Sequence, residues 1–533
     1  MRKDGEAPFS RVLVANRGEV AVRVIRACHE LGMEAVAVFS DADADAGHVR
    51  AADIGVRLGP APASESYLRA DRIIEAALAT GAEAIHPGYG FLAERASFAK
   101  SVEEAGLVFV GPSSATIAAL GDKLAARRLA ADEGVWAVPG TLEAAPVDRP
   151  GDVEAIVAAA EQIGFPILVK AAAGGGGRGM RRVERAEDLP GALAVGSAEA
   201  ASAFGDGAVY LERVIAPARH IEVQLLGDQA GTVVAVGERD CSLQRRHQKL
   251  IEESPAPGLT DAERESLHEH AVRVARAAGL QNAATAEFLF DADRRFWFLE
   301  VNTRLQVEHG VTELTADIDL VREQFEIAAG RPLSPRIIAA AERASHPTRH
   351  AIEVRLAAED PGREFAAAPG RIGRWSMPSG PGIRVDTAVS AGDRVPPDYD
   401  PLIAKLLVVD LDRDAAISRL RRALDEVEIT GVQTTLPFHR FVASHPGFFK
   451  GQLSTGWVAE HWAPVVGDLR LDAFRTAAQA AIAVATDESM AAVARAPGGD
   501  GRVLEAGSVG PNGRPGTGWR DAGRAAATSR WPR

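Results

Sequence analysis

From Glu300 to Glu308 the chain reads Glu-Val-Asn-Thr-Arg-Leu-Gln-Val-Glu. Strand side chains alternate with period two. An extended reading therefore puts Glu300, Asn302, Arg304, Gln306 and Glu308 on one wall, with Val301, Leu305 and Val307 packed behind it. A solvated edge strand has the same pattern, but the residues upstream restrict the choice. Two apolar-rich runs, 287–290 and 296–300, flank the polar stretch Asp-Ala-Asp-Arg-Arg, which is the pattern of a hairpin. A turn centred near Asp293 and Arg294 sets Glu287 opposite Glu300. Like charges directly opposite each other destabilise a sheet, and a divalent cation would remove the objection. Magnesium takes one or two carboxylates together with phosphate oxygens, so the hairpin reads as half of a nucleotide-phosphate site.

At 533 residues the chain is too long for one core and should divide into roughly three or four units. A net charge of −13 argues against a general nucleic-acid or membrane-surface binder. No apolar run reaches the length of a membrane span. The start lacks the apolar segment of a signal peptide, and Cys28 and Cys241 cannot make a disulfide framework, so a cytoplasmic location is expected. Only seven lysines occur, and arginine supplies 53 of the 60 basic residues. Lys123, Lys170 and Lys249 persist in polar or glycine-rich settings, where a compact point charge does what a planar guanidinium does not.

Residues 11–15 read as a strand, 20–31 as a helix and 35–39 as a second strand, a unit of parallel sheet. Its turn has one glycine where the dinucleotide fingerprint needs three, which sets that reading aside. Ala84-Ile85, the loop 86–91 and a strand at 107–110 extend the sheet. Ser113 or Ser114 is expected to cap a helix carrying Lys123. A helix at 153–162 and strands at 166–170, 180–183 and 208–211 suggest a small α/β lid. From Arg219 onward His220, Glu222 and Gln224 share one side of a strand, with 231–236 as its partner. Helices at 261–278 and 317–329 frame the acidic hairpin; strands at 352–356 and 403–409 and a helix at 415–426 follow. Beyond Trp462 the pattern degrades, apart from an alanine-rich stretch at 472–494, and the end is expected to be disordered or partly helical.

Gly174, Gly175, Gly176 and Gly177 follow the strand ending at Lys170, and without side chains their backbone amides can face phosphate oxygens. A flexible surface turn has the same composition. No Gly-Lys dipeptide occurs, so this is not a Walker A loop. Residues 241–249 concentrate positive charge, as an anion site or a solvated basic turn would. Positive surroundings can lower the pKa of a thiol, but no partners for a cysteine nucleophile are evident, and Cys241 is expected simply to pack.

Lys123, Lys170 with its glycine loop, Glu212, the basic segment and the acidic hairpin occur in the order of an ATP-grasp enzyme. The chain resembles the biotin carboxylase family in Ala-Asn-Arg-Gly-Glu at 15–19, His-Pro-Gly-Tyr-Gly-Phe-Leu at 86–92 and the glycine loop through Met180. The most specific words are Glu-Arg-Asp-Cys-Ser at 238–242, Gln-Arg-Arg-His-Gln-Lys at 244–249 and Glu-Val-Asn-Thr-Arg-Leu-Gln-Val-Glu-His at 300–309. Two residues depart from the family pattern. Gly310 stands where proline is usual, which loosens the backbone beside Glu308, and Arg213 stands where lysine is usual beside adenine.

The resemblance implies a multidomain α/β and α+β chain with an ATP-grasp fold. A Rossmann-like parallel-sheet domain would cover 1–120 and an ATP-grasp domain 121–330, with a mobile lid at about 138–214. A mixed α+β C-terminal domain would cover 331–462, and 463–533 would be a tail. The implied activity is that of an ATP-dependent ligase carboxylating biotin through carboxyphosphate. Glu287, Glu300 and Asn302 would hold Mg2+ or Mn2+. ATP would meet Lys123, Lys170, His220, Gln244, His247, the 174–177 amides and, at adenine, Glu212, Arg213, Val214 and Ile215. Lys249, Arg304, Gln306 and the backbone of Val307 would bind bicarbonate, Glu308 would take its proton, and Arg355 would stabilise the biotin enolate. No lysine follows Lys450 and no Met-Lys-Met occurs, so a separate biotin carboxyl carrier protein and carboxyltransferase are expected as partners, with a homodimer as the family's usual state. The alternatives are another ATP-grasp ligase activating a different carboxylate, and a catalytically silent nucleotide-binding subunit.

Overall fold

The strand Arg11–Val14 is buried on both faces, as a central parallel strand must be. It heads a parallel sheet whose five strands run in the spatial order Ile54–Gly59, Glu34–Ser40, Arg11–Val14, Ala84–His86 and Val108–Phe109. The structure is a computed structural model and describes residues 7–147, 150–172, 180–462 and 465–466. The expectations for Gly174 to Gly177 and for the tail from 467 onward lie outside the described residues.

Strand order reverses beside Arg11–Val14, the switch point where open α/β sheets present ligand-binding loops. Here the Asn16 side-chain amide donates to the carbonyls of Pro87 and Tyr89, both at 2.7 Å. Gly88 has φ +63, and a Cβ there would lie 2.9 Å from Asn16 Nδ2, so this crossing needs glycine twice over. The loop pinned in this way carries Glu94 toward the rest of the molecule.

Ser113 caps a helix, Ser114–Gly121, but not the one carrying Lys123. Lys123 instead opens the helix Lys123–Asp132, capped by Asp122, whose carboxylate accepts from the Leu124 and Ala125 amides. Placing Lys123 in a first turn aims its side chain off the helix end and not along its flank. The strands Ile167–Ala171, Arg181–Val183 and Val209–Arg213 form a separate antiparallel sheet backed by the helices Pro150–Ile163 and Leu189–Phe204.

An antiparallel sheet of eight strands carries the chemistry-bearing side chains. Its order is Phe296–Asn302, Asn282–Asp291, Ala218–Gly227, Val233–Arg245, Gln248–Ser254, His350–Ala357, Leu402–Asp410, Ile383–Thr387. Alternation decides which side faces where. Ile221, Val223 and Leu225 pack with Ala284, Ala286 and Phe288 beneath the helix Asp261–Ala277, while His220, Glu222 and Gln224 point the other way. That helix is fixed at its start by a reciprocal Thr260–Glu263 capping box. The strands His350–Ala357 and Leu402–Asp410 pack on the helices Arg413–Glu426 and Leu436–Ser444. Among the described residues no helix is long and apolar enough to cross a membrane.

Candidate active site

The turn at Arg294 has φ +61, and the hairpin it closes pairs Phe290 with Phe296 and Phe288 with Phe298, one residue off the expected register; a shift between Glu287 and Phe288 then brings Glu287 opposite Glu300, the pairing the sequence predicts. Glu222, on the next strand, lies opposite Glu287 on the other side, and Arg239 opposite Glu222. Three carboxylates and a guanidinium therefore stand in one row across the sheet.

Lysines neutralise much of that row. Lys249 Nζ lies 3.0 Å from Glu287 Oε1 and 2.6 Å from Glu308 Oε1, and it also bonds Glu222. Lys123 Nζ lies 2.7 Å from Glu300 Oε2. His220 Nε2 is 3.1 Å from Glu287 Oε2, and Arg239 bonds Glu222 and reaches Gln224 and Thr312 at 2.9 Å. Beside the divalent cation expected from the sequence, Lys123, Lys249 and His220 thus offset the Glu287–Glu300 opposition. Glu287, Glu300 and Asn302 remain a hard, all-oxygen donor set that fits magnesium, with Asn302 Nδ2 already donating to Glu287 Oε1 at 2.9 Å. Among the described residues, groups of His, Cys and acidic side chains with tightly clustered donor atoms are His220, Glu222, Glu287 and Glu222, Cys241, Glu308; Glu300 is in neither.

The expected polar wall is present, but not as one strand. The strand ends at Asn302, and Glu308 sits in a turn as N-cap of the helix His309–Ala316. Alternation nonetheless carries the side chains inward. Gln306 Nε2 donates to Glu287 Oε1 at 3.0 Å, and Arg304 donates to Gln306 and Asn302. Glu308 Oε2 accepts from Arg355 at 2.9 Å, and Arg355 Nε donates to Glu252 Oε1 at 2.6 Å. Gly310 does not loosen this corner. It is buried in the helix, and a Cβ there would lie 2.5 Å from Leu407 Cδ2, so it is held by packing.

Electrostatics follow from this crowding. Burial opposes the ionisation of Glu308, yet Lys249, Arg355 and Arg239 outweigh it and hold its carboxyl well below the usual range. Burial likewise opposes the ionisation of Glu287, and Lys249 and His220 overcome that penalty and hold its carboxyl well below the usual range. Burial disfavours the Lys249 ammonium, but Glu222, Glu287 and Glu308 push its pKa well up. Burial followed by Glu222 raises the Cys241 thiol well above its ordinary value, so positive surroundings do not activate it.

A second cluster lies at the small sheet. Lys170 Nζ donates to Glu212 Oε2 at 2.7 Å and Arg127 to Glu212 Oε1 at 2.8 Å, so the Glu212 carboxylate is committed to holding two cations. Arg213 is exposed at the strand end; its amide donates to Pro139 at 2.7 Å, and that of Val214 to Pro166 at 2.9 Å, with Ile215 next in chain. The basic run is a hairpin with a buried base and an exposed tip. Gln244 is buried opposite Lys249, while Arg246 and His247 form the tip with φ 49 and 66, a type I′ turn in which non-glycine residues are strained.

Several site residues escaped the sequence reading. Glu94 accepts from Arg304 Nε at 2.9 Å and from the Thr303 amide at 3.2 Å. Lys405, fully buried, donates to the Val307 carbonyl at 2.7 Å and fixes that backbone. Arg127 and Arg239 are the others. The available signals were slight: a lysine inside the apolar run Leu-Ile-Ala-Lys-Leu-Leu, and an arginine within Glu-Arg-Asp-Cys-Ser.

Comparison with known proteins places these residues in a family context. Residues 8–117 match the family model of the biotin carboxylase N-terminal domain, 122–336 that of the carbamoyl-phosphate synthase L chain ATP-binding domain, and 353–460 that of the biotin carboxylase C-terminal domain. Biotin carboxylase 1 of Bacillus subtilis is 45% identical over 448 residues, 84% of this chain and 97% of its own length. The biotin-dependent acyl-coenzyme A carboxylase alpha3 subunit of Mycobacterium leprae is 44% identical over 91% of this chain and 81% of its own length. Among solved structures, Campylobacter jejuni biotin carboxylase in complex with β,γ-ATP superposes with TM-score 0.81 at 42% identity, covering 85% of this chain and 99% of that one. The biotin carboxylase domain dimer of Hydrogenobacter thermophilus 2-oxoglutarate carboxylase, solved with MgADP, ADP and bicarbonate, also gives 0.81, at 43% identity over 86% of this chain and 98% of that one.

Proposed function

The chain belongs to the biotin carboxylase family of ATP-dependent ligases, and from that premise we propose how its own residues carry out the ATP- and bicarbonate-dependent carboxylation of biotin. The single observation that supports the reading most is the convergence of Lys249, Arg355 and Arg304 on the Glu308 corner, beside the Glu287–Glu300 pair. One end of that arrangement suits an anion and a general base; the other suits phosphates.

Lys123, Lys170, His220, Gln244 and His247 line the ATP side, with the 138–214 segment as a lid over it and 212–215 beside adenine. Glu287, Glu300 and Asn302 hold magnesium or manganese, which when bound shields the charge that builds on the phosphate oxygens. Arg304, Lys249, Gln306 and the Val307 backbone hold bicarbonate. Its oxygen attacks the terminal phosphorus as Glu308 takes its proton; the bond to the ADP oxygen breaks, and carboxyphosphate forms. Carboxyphosphate splits into carbon dioxide and phosphate, and that phosphate removes the proton from the ureido nitrogen of biotin. The nitrogen then attacks carbon dioxide while Arg355 stabilises the enolate. Lys249 and Arg355 keep Glu308 weakly basic. Turning Lys249 toward bicarbonate relaxes that hold and raises the basicity when it is needed.

Glu94 is a positioning residue in this scheme: it anchors the Nε edge of Arg304, whose terminal nitrogens donate to Gln306 and Asn302 and would turn to bicarbonate as it binds. Glu94→Gln should raise KM for bicarbonate about tenfold, as expected for weakening one charge-assisted hydrogen bond, and leave KM for ATP within about twofold. Initial-rate kinetics with each substrate varied check this.

No lysine follows Lys450, so the residues beyond it in this sequence cannot carry biotin. A biotinylated carrier protein and a carboxyltransferase are the partners this reading requires, and two copies of the chain pair as a homodimer. The test is ATP cleavage by the purified chain with free biotin and bicarbonate. Cleavage that requires both supports the function; cleavage indifferent to biotin, or dependent on another carboxylate, points to a different ATP-grasp ligase, and binding without turnover to a silent subunit.

A further inference from the structure

Glu252 and Glu353 are direct cross-strand partners between Gln248–Ser254 and His350–Ala357, and both are fully buried. Opposed side chains in an antiparallel pair have Cβ atoms about 4.5–5.5 Å apart. The same opposition at Glu287 and Glu300 is relieved by lysines, but among the described residues no cation makes an ion pair with Glu353, and the cations nearest it are engaged elsewhere. On its own strand Arg355 bonds Glu252 at 2.6 Å and Glu308 at 2.9 Å. From Leu402–Asp410, Lys405 is committed to the Val307 carbonyl at 2.7 Å and pairs with Glu19 at 3.4 Å and Asp386 at 3.6 Å. From Ile383–Thr387, Arg384 is paired with Glu313 and Asp386. From the helix His309–Ala316, His309 is kept neutral, its pKa pushed down to about 3 by burial and by Lys405. Neither oxygen of Glu353, nor Oε2 of Glu252, has a hydrogen-bond partner among the described residues.

We propose that Glu252 and Glu353 share one proton, and that Glu353 is thereby a positioning residue for Arg355. As a neutral acid it donates to Glu252, and the pair carries a single negative charge that holds Arg355 between Glu252 and Glu308. When the proton leaves, two carboxylates compete for that guanidinium and Glu308 loses part of its share. The direction of the shifts agrees. Burial, opposed by Lys405 and helped by Glu252, raises the Glu353 carboxyl well above its ordinary range; burial, opposed by Arg355 and helped by Glu308, raises Glu252 to about 7.

The effect on activity rests on the role proposed above for Arg355, so the test has one arm that does not. In the infrared, the full-length enzyme at neutral pH should show the carbonyl stretch of a protonated carboxylic acid, and Glu353→Gln should lose that band. The same variant puts a neutral amide where the neutral acid stood, so the alkaline limb of its kcat profile should move up by about one pH unit or more. A band unchanged in Glu353→Gln overturns the shared proton, whether or not the enzyme carboxylates biotin. A lost band with an unmoved alkaline limb overturns the positioning of Arg355. If Glu353→Gln fails to fold, Glu252→Gln serves: removing the opposed carboxylate should shift the titration of the band to lower pH, and an unshifted titration counts against the pair.

Discussion

Glu308→Gln is expected to fold and to lose biotin-dependent ATP cleavage by about 10²–10⁴-fold, the usual contribution of a general base. The fold survives because each cation that loses Glu308 keeps another buried carboxylate: Lys249 keeps Glu222 and Glu287, and Arg355 keeps Glu252. Glutamine preserves the shape of the side chain, so binding of ATP should change little, and the loss should appear in kcat. Parallel measurement of kcat, KM for bicarbonate and thermal unfolding separates a lost base from a damaged site. Turnover within about tenfold of wild type would remove Glu308 from the proton-transfer step.

Lys249→Met should be the more damaging change, because it acts on stability and chemistry together. One ammonium serves Glu222, Glu287 and Glu308, all buried. Removing it leaves the buried carboxylates with fewer charged partners, Arg239 for Glu222, His220 for Glu287 and Arg355 for Glu308, a loss on the order of 3–5 kcal/mol for a broken buried ion pair, along with the bicarbonate contact. The pH dependence gives the effect a signature. Glu287 and Glu308 are held below the ordinary value of 4.5, so their ion-pair stabilisation is present above about that pH and fades as pH falls through their lowered values. In Lys249→Met that acid-side loss should flatten, and the gap from wild type should narrow toward low pH. A gap that stays constant with pH would mean that packing, and not charge, sets the role of Lys249.

The parts of the site legible in the sequence were those governed by local rules. Hairpin counting placed Glu287 against Glu300, but the strands pair Phe288 with Phe298, one residue away from the counted register, and a shift between Glu287 and Phe288 restores the opposition of the two carboxylates. Period-two alternation put His220, Glu222 and Gln224 on one face. It failed as a statement about secondary structure beyond Asn302, where Glu308 begins a helix, although the inward direction of Gln306 and Glu308 survived. The Lys123 helix was misassigned because Asp122, directly before it, is a better-placed cap than Ser113, which serves the preceding helix. Partners supplied by topology were out of reach. Glu94 meets Arg304 across 210 residues, and Lys405 meets the Val307 carbonyl across 98; only the crossing of the parallel-sheet loop and the far strands of the eight-stranded sheet brings them in.

Bicarbonate as the group that attacks the terminal phosphate of ATP is tested most directly by supplying the full-length enzyme with ATP, biotin and bicarbonate labelled with heavy oxygen, then weighing the phosphate released. Attack by a bicarbonate oxygen followed by cleavage of its bond to carbon leaves one labelled oxygen in each phosphate. Phosphate free of label, with its new oxygen drawn from water, would contradict the mechanism built on Glu308, Lys249 and Arg304.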